Sequence, residues 1–189
     1  MTDSPVNWSD YAQKYDMLLQ YNPFYQSLVK EVMDKTATWQ VQAGDILLDL
    51  GAGTGNYSCA LAERFPEASI LHVDNDAGMN RVATDKKERQ QLLNLEIREA
   101  DMRSLALEPN SVQGITCIHA LYTQDNPPQI LQNLHHWLAP EGSAILVDPG
   151  RMVQVLSWQI AIGSHLIRQH GLRKTLQILR EGKEVSKQN

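Results

Sequence analysis

Apolar residues in this chain fall into short blocks, and longer amphipathic stretches separate them. The blocks lie at 45–50, 69–74, 95–99, 112–118 and 143–147. Each is too short for a helix and apolar enough for a buried strand. The intervening stretches 56–65, 77–93, 128–138 and 152–170 carry helical spacing, and Pro66 closes the first of them. Residues 8–40 also read as helical, with a break at Asn22-Pro23, because proline lacks the N–H that a helix interior needs. Residues 171–189 read as helical and polar. Strands alternating with helices predict parallel βαβ units and a sheet covered on both faces. The expected fold class is therefore α/β, a doubly wound, mostly parallel sheet.

With 189 residues, 42% hydrophobic and 21% charged, the chain suits one domain with one substantial core. The expected organisation is an N-terminal helical lid (1–40), a core (41–150) and a C-terminal helical segment (151–189). No run of 18 apolar residues and no basic-then-apolar leader is present, so no membrane partner and no secretion are expected. Cys59 and Cys117 are isolated within apolar stretches, which predicts reduced core thiols in a cytoplasmic protein. No Cys/His cluster has ligand spacing, so no metal is expected. The net charge of -5 argues against a nucleic-acid partner. That charge is uneven: 168–189 holds six Lys/Arg against two Glu, leaving +4, and the remainder is -9. A solvated helix face is the plainer explanation of the basic tail.

One segment changes the picture. Directly behind the first strand comes Asp49-Leu50-Gly51-Ala52-Gly53-Thr54-Gly55, and a helix follows. Strand, glycine turn and helix form the layout in which backbone bends beneath a nucleotide-like ligand. Glycines suit it because they accept positive φ and have no Cβ to block the ligand. The spacing is not the G-x-G-x-x-G of dinucleotide folds. The carboxylate of Asp49 would repel a pyrophosphate and suits a ligand whose nearby group is cationic.

This segment resembles motif I of the class I S-adenosylmethionine (SAM)-dependent methyltransferases, the Rossmann-like, small-molecule type. Further matches follow in order. Val73-Asp74-Asn75-Asp76 with Met79 resembles the family's second-strand pattern, and Asp76 is placed to cap the next helix. Ala100-Asp101-Met102 follows the third strand. Ile118-His119-Ala120-Leu121-Tyr122 ends the fourth. Leu138-Ala139-Pro140-Glu141-Gly142 resembles the family's Leu-x-Pro-Gly-Gly turn, with Glu141 in place of a glycine. Trp8 to Asp16 resembles its lid helix.

The resemblance covers roughly residues 8–150 and implies strand order 3-2-1-4-5 with SAM as cofactor. It implies that Asp49, Gly51, Ala52, Gly53 and Gly55 hold the amino-acid end. Asp74, with Asn75 and Met79, would hold the ribose, and Asp101 and Met102 the adenine. Tyr11 and Tyr15, four apart on one helix face, would close over the methionine end, with a cation–π contact of ~0.5–2 kcal/mol. His119 and Tyr122 would face cofactor or acceptor and are the candidates for catalysis; no catalytic residue is assigned.

The implied reaction is in-line methyl transfer to a small-molecule acceptor. A SAM-binding domain or fragment without turnover is the second reading. An NAD(P)-dependent oxidoreductase is disfavoured by the glycine spacing and by Asp49. Family members usually continue for two more strands, which this chain does not show. That would leave the fifth strand as an open edge, compatible with a homodimer or a covering helix.

Overall fold

The computed structural model describes residues 8–150 and 155–186. Side chains are described for residue 12 and for 15–17, 19–150 and 160–180. The strands are β1 (Ile46–Leu50), β2 (Ser69–Asp74), β3 (Leu95–Glu99), β4 (Val112–Ile118) and β5 (Leu138–Val147). The helices are α1 (Trp8–Tyr21), α2 (Pro23–Lys35), α3 (Asn56–Arg64), α4 (Ala77–Gln90), α5 (Pro127–Trp137) and α6 (Val155–Ser186).

All four strand pairings are parallel, in the order β3-β2-β1-β4-β5. The doubly wound sheet and the 3-2-1-4-5 order expected from the sequence are both present. β1 lies at the centre because its residues 47–50 are all buried, which only a strand flanked and covered on every side achieves. Leu48, Leu50, Ile115, Ile130 and Trp137 pack in one apolar cluster, and Leu47, Leu61, Ile70 and Leu95 in another. Fully burying side chains of this size contributes ~1.5–3 kcal/mol each.

Helix boundaries follow local chemistry. Asn22 ends α1 and caps α2 by accepting from the N–H of Phe24 (3.1 Å) and Tyr25 (3.3 Å). Asp76 caps α4 through the Met79 N–H at 2.8 Å. α4 stops at Gln90 rather than Leu93, because Gln91 turns left-handed at φ 56°. Gly171 (φ 75°, ψ 165°) breaks the helical φ/ψ run of α6. Met152, expected to open that helix, lies outside the described residues.

One boundary differs from expectation. Leu138 to Gly142 was expected to be a turn, with the strand starting at Ser143. Strand pairing instead begins at Leu138, opposite Val112, and resumes with Ser143 opposite Gly114. The intervening residues bulge outward, and Glu141 takes φ 65° within that bulge.

Candidate active site

A cleft opens over the carboxyl ends of β1, β2 and β4, where ligands bind in sheets of this topology. Its floor is the loop after β1. Gly51 and Gly53 have φ of 67° and 54°. The N–H groups of Gly51 (2.8 Å) and Ala52 (3.1 Å) both bond the Val73 carbonyl, which locks the loop onto β2. A Cβ on Gly51 would lie 2.3 Å from the Ala120 Cβ, whereas a Cβ on Gly53 would meet no atom within 4 Å. Gly51 is therefore glycine for packing, and Gly53 borders open cleft. Gly55 does not line the cleft. It starts α3 in the left-handed region, and its Cα faces Ala83 of α4.

Asp74 ends β2 and faces the cleft. Its Oδ2 accepts the Gly53 N–H at 2.8 Å and its Oδ1 the Asp76 N–H at 2.9 Å. The Asn75 backbone N–H also donates to this carboxylate. Burial raises its pKa, against the pull of these N–H bonds. Asn75, Met79, Asp101 and Met102 line the same wall. The Asp101 carboxylate is held by Arg103, whose Nε lies 3.0 Å from both oxygens, and that hydrogen bonding lowers its pKa.

Asp49 also borders the cleft but is only 1% exposed. Its Oδ1 accepts from the Thr116 hydroxyl (2.8 Å) and its Oδ2 lies 2.5 Å from Ser58 Oγ. Burial pushes its pKa up to about 6. Beyond Ser58, His72 Nδ1 lies 2.8 Å from the same Oγ, and burial lowers the His72 pKa to about 4.

The same cleft is also lined by Tyr15, Leu19, Tyr25, Tyr57, His119 and Tyr122. His119 sits at φ 55° at the end of β4, and its N–H bonds the Val147 carbonyl at 2.6 Å. Among the described residues, His119 Nδ1 is a buried polar atom without a hydrogen-bond partner. Burial lowers the His119 pKa, with Asp148 opposing the shift. Tyr122 is 56% exposed, at the mouth. The Tyr11 side chain lies outside the described residues.

Sequence reasoning missed a buried polar cluster that joins α1, α3, α4 and the glycine loop. Asp16 of α1 pairs with Lys86 of α4 and accepts from the Thr54 hydroxyl at 2.8 Å. Lys86 also reaches Asn56 Oδ1 at 2.6 Å, and Asn56 donates to the Tyr25 hydroxyl at 3.1 Å. Among the described residues no group of three or more His/Cys/Asp/Glu could hold a metal. No helix there is long and apolar enough to cross a membrane.

The comparisons agree with this geometry. The family described as "Methyltransferase domain" matches residues 47–142, half of the chain, and the protein belongs to that family. It is 27% identical over 138 residues to demethylmenaquinone methyltransferase of Oceanobacillus iheyensis, covering 71% of this chain and 57% of that protein. It is 31% identical over 123 residues to trans-aconitate 2-methyltransferase of Deinococcus radiodurans, covering 65% and 45%. The chain thus spans about half the length of these relatives. Among solved structures, a candidate SAM-dependent methyltransferase from Methanococcus maripaludis superposes with a TM-score of 0.67 at 18% identity, covering 99% of this chain and 87% of that one. That likeness is one of fold.

The donor set fits SAM, the family's cofactor. Among the described residues it offers no cluster of cations for a phosphate. It offers two carboxylates at strand ends and a glycine floor open to the cleft at Gly53.

Proposed function

We propose that the protein transfers a methyl group from SAM to a small-molecule acceptor entering between His119 and Tyr122. The observation that carries this reading is the single cleft at the strand ends, lined together by Asp49, the glycine floor, Asp74, Met102, Tyr15, His119 and Tyr122. Bound SAM supplies a methyl group already activated by its sulfonium charge. Asp74 would hold the ribose hydroxyls, Asp101 and Met102 the adenine, and the Gly51–Gly53 backbone above Asp49 the amino-acid end. The chain's main task is to align acceptor and methyl and to exclude water, an effect of ~7–11 kcal/mol in favourable cases. Tyr15 on the lid and Tyr122 at the mouth serve that exclusion. His119 lines the cleft, and its ring is the group proposed to accept a proton from the acceptor. The relatives named above act on demethylmenaquinone and trans-aconitate. Both are small molecules, and that class is the one proposed here. Two buried free thiols agree with a reducing, cytoplasmic setting.

The test is incubation with methyl-labelled SAM and a panel of quinols, carboxylates and amines, with label followed by mass spectrometry. Methylation of one class establishes the activity. Tight SAM binding with label never leaving the cofactor would instead mark a binding domain without turnover.

A further inference from the structure

The buried row Asp49–Ser58–His72–Asn80 does not close with its ordinary number of protons. Asn80 Nδ2 donates to the Asp74 carbonyl at 3.1 Å, which leaves Oδ1 facing His72 Nε2 at 3.0 Å. Oδ1 only accepts, so Nε2 must carry a proton. Reversing the amide does not help. It would set Oδ1 against the Asp74 carbonyl, which already accepts from the Ala100 N–H at 3.0 Å.

With Nε2 protonated and the ring neutral, Nδ1 is an acceptor. Ser58 Oγ lies 2.8 Å from Nδ1 and 2.5 Å from Asp49 Oδ2, and it has one proton to give. An ionised Asp49 beside a neutral His72 therefore leaves two acceptors in contact inside the core, which is costly. One additional proton removes the conflict. It sits either on Asp49, which then donates to Ser58, or on His72 Nδ1, which then donates to Ser58 while Ser58 donates to a carboxylate.

We infer that Asp49, Ser58 and His72 hold one proton in common, which rests on Asp49 in the free protein and passes through Ser58 to His72 when the cationic cofactor binds. This rests on the SAM reading of the cleft. The transfer is balanced: Asp49 O–H breaks as Ser58 O–H forms, Ser58 O–H breaks as His72 Nδ1–H forms, and no proton enters or leaves. Ligand charge sets the direction. Asp49 borders the cleft, whereas His72 is completely buried behind it. A sulfonium or ammonium in the cleft favours the carboxylate form of Asp49.

The surroundings explain the resting state. Asp49 is faced by Thr116 of β4, the Ser58 backbone of α3 and the carboxylate of Asp74 on β2, while Tyr25, Tyr57, Cys59 and Cys117 feel its charge. His72 is faced by Asn80 and by Lys86 of α4, whose charge opposes an imidazolium. Lys86 is itself paired with Asp16. His72 thus becomes a positioning residue for the known cofactor: it keeps a carboxylate available for a cation without leaving a buried charge in the empty site.

The test is nitrogen-15 NMR of histidine-labelled full chain at about pH 5, midway between the two titrations, with the His72 signals identified by their loss in His72→Gln. Free protein is expected to show neutral His72 with the proton on Nε2. Added SAM should convert it to imidazolium; S-adenosylhomocysteine, which lacks the sulfonium charge, should do so less. Asp49→Asn mimics the protonated acid, so His72 should stay neutral and the preference for SAM over the demethylated product should fall about tenfold. Imidazolium in the free protein overturns the inference. So does SAM binding, seen as amide shifts at Gly51 and Gly53, with His72 unmoved. Absence of those amide shifts would remove the cofactor reading and this inference together.

Discussion

Lys86 of α4 and Asp16 of α1 form a buried ion pair, with side chains 8% and 10% exposed, and the same Asp16 accepts from Thr54 of the glycine loop. Helix α1 is therefore tied to the glycine loop and to α4 by polar contacts as well as by packing. Lys86→Met would leave Asp16 buried without its cation, a change that costs ~3–5 kcal/mol. Urea unfolding should show that loss, and Lys86→Met combined with Asp16→Asn should recover part of it. An unchanged midpoint in the single variant would mean that the pair does not hold α1 in place.

The two glycines of the floor separate stability from binding. Gly51→Ala would set a methyl 2.3 Å from the Ala120 Cβ and should destabilise by ~1–3 kcal/mol from overpacking alone. Gly53→Ala meets no protein atom, so its stability cost is the left-handed backbone only, ~1–2 kcal/mol. Its methyl nevertheless borders the cleft, so SAM affinity should drop, as titration calorimetry would report. Equal stability losses in the two variants would contradict this assignment.

Asp49 and His72 bias stability against pH in opposite senses. The folded pKa of Asp49, about 6, lies above its ordinary 3.8, so its contribution is full at low pH and is lost as pH rises towards 6. That of His72, about 4, lies below its ordinary 6.5, so its contribution is full above 6.5 and is lost as pH falls towards 4. Each shift is worth about 3 kcal/mol at most, and in the wild type the two nearly cancel. Relative to wild type, Asp49→Asn should gain stability as pH rises from 3.8 to about 6, and His72→Gln should lose it as pH rises from about 4 to 6.5. Parallel curves for all three proteins would refute both shifts.

His119→Asn keeps a residue tolerant of φ 55° while removing the ring. With a methylated acceptor in hand, kcat should fall ~10²-fold or more, with SAM affinity nearly unchanged. A fall confined to KM would assign His119 to binding the acceptor instead of taking its proton.

The parallel sheet was legible because each strand is a short apolar block, and the cleft was legible because glycines and acids follow those blocks. Asp49, Gly51, Gly53, Asp74, Met102, His119 and Tyr122 do line one cleft. Other features had no local signal. Lys86 lies in the charged run Asp85-Lys86-Lys87-Glu88-Arg89, where nothing marks one lysine as buried. His72 and Thr116 sit in strands as ordinary alternating residues, and their partners are 14 and 67 positions away. Gly55 matched the motif yet serves helix packing against Ala83, a contact between α3 and α4 that spacing does not encode. The early start of β5 escaped detection because Glu141 adopts a backbone conformation usually left to glycine.

The central claim is that the cleft above the glycine loop binds SAM, and thermal unfolding with SAM, S-adenosylhomocysteine, NAD and NADP tests it most directly. A ligand at 100 times its Kd stabilises by ~2.7 kcal/mol. For a chain of this size that raises Tm by roughly 5–10 °C. The account predicts such a shift with SAM and S-adenosylhomocysteine, its loss in Asp74→Ala, and none with the dinucleotides. A folded protein that shifts with neither SAM nor its product, or that shifts with NAD instead, would contradict it.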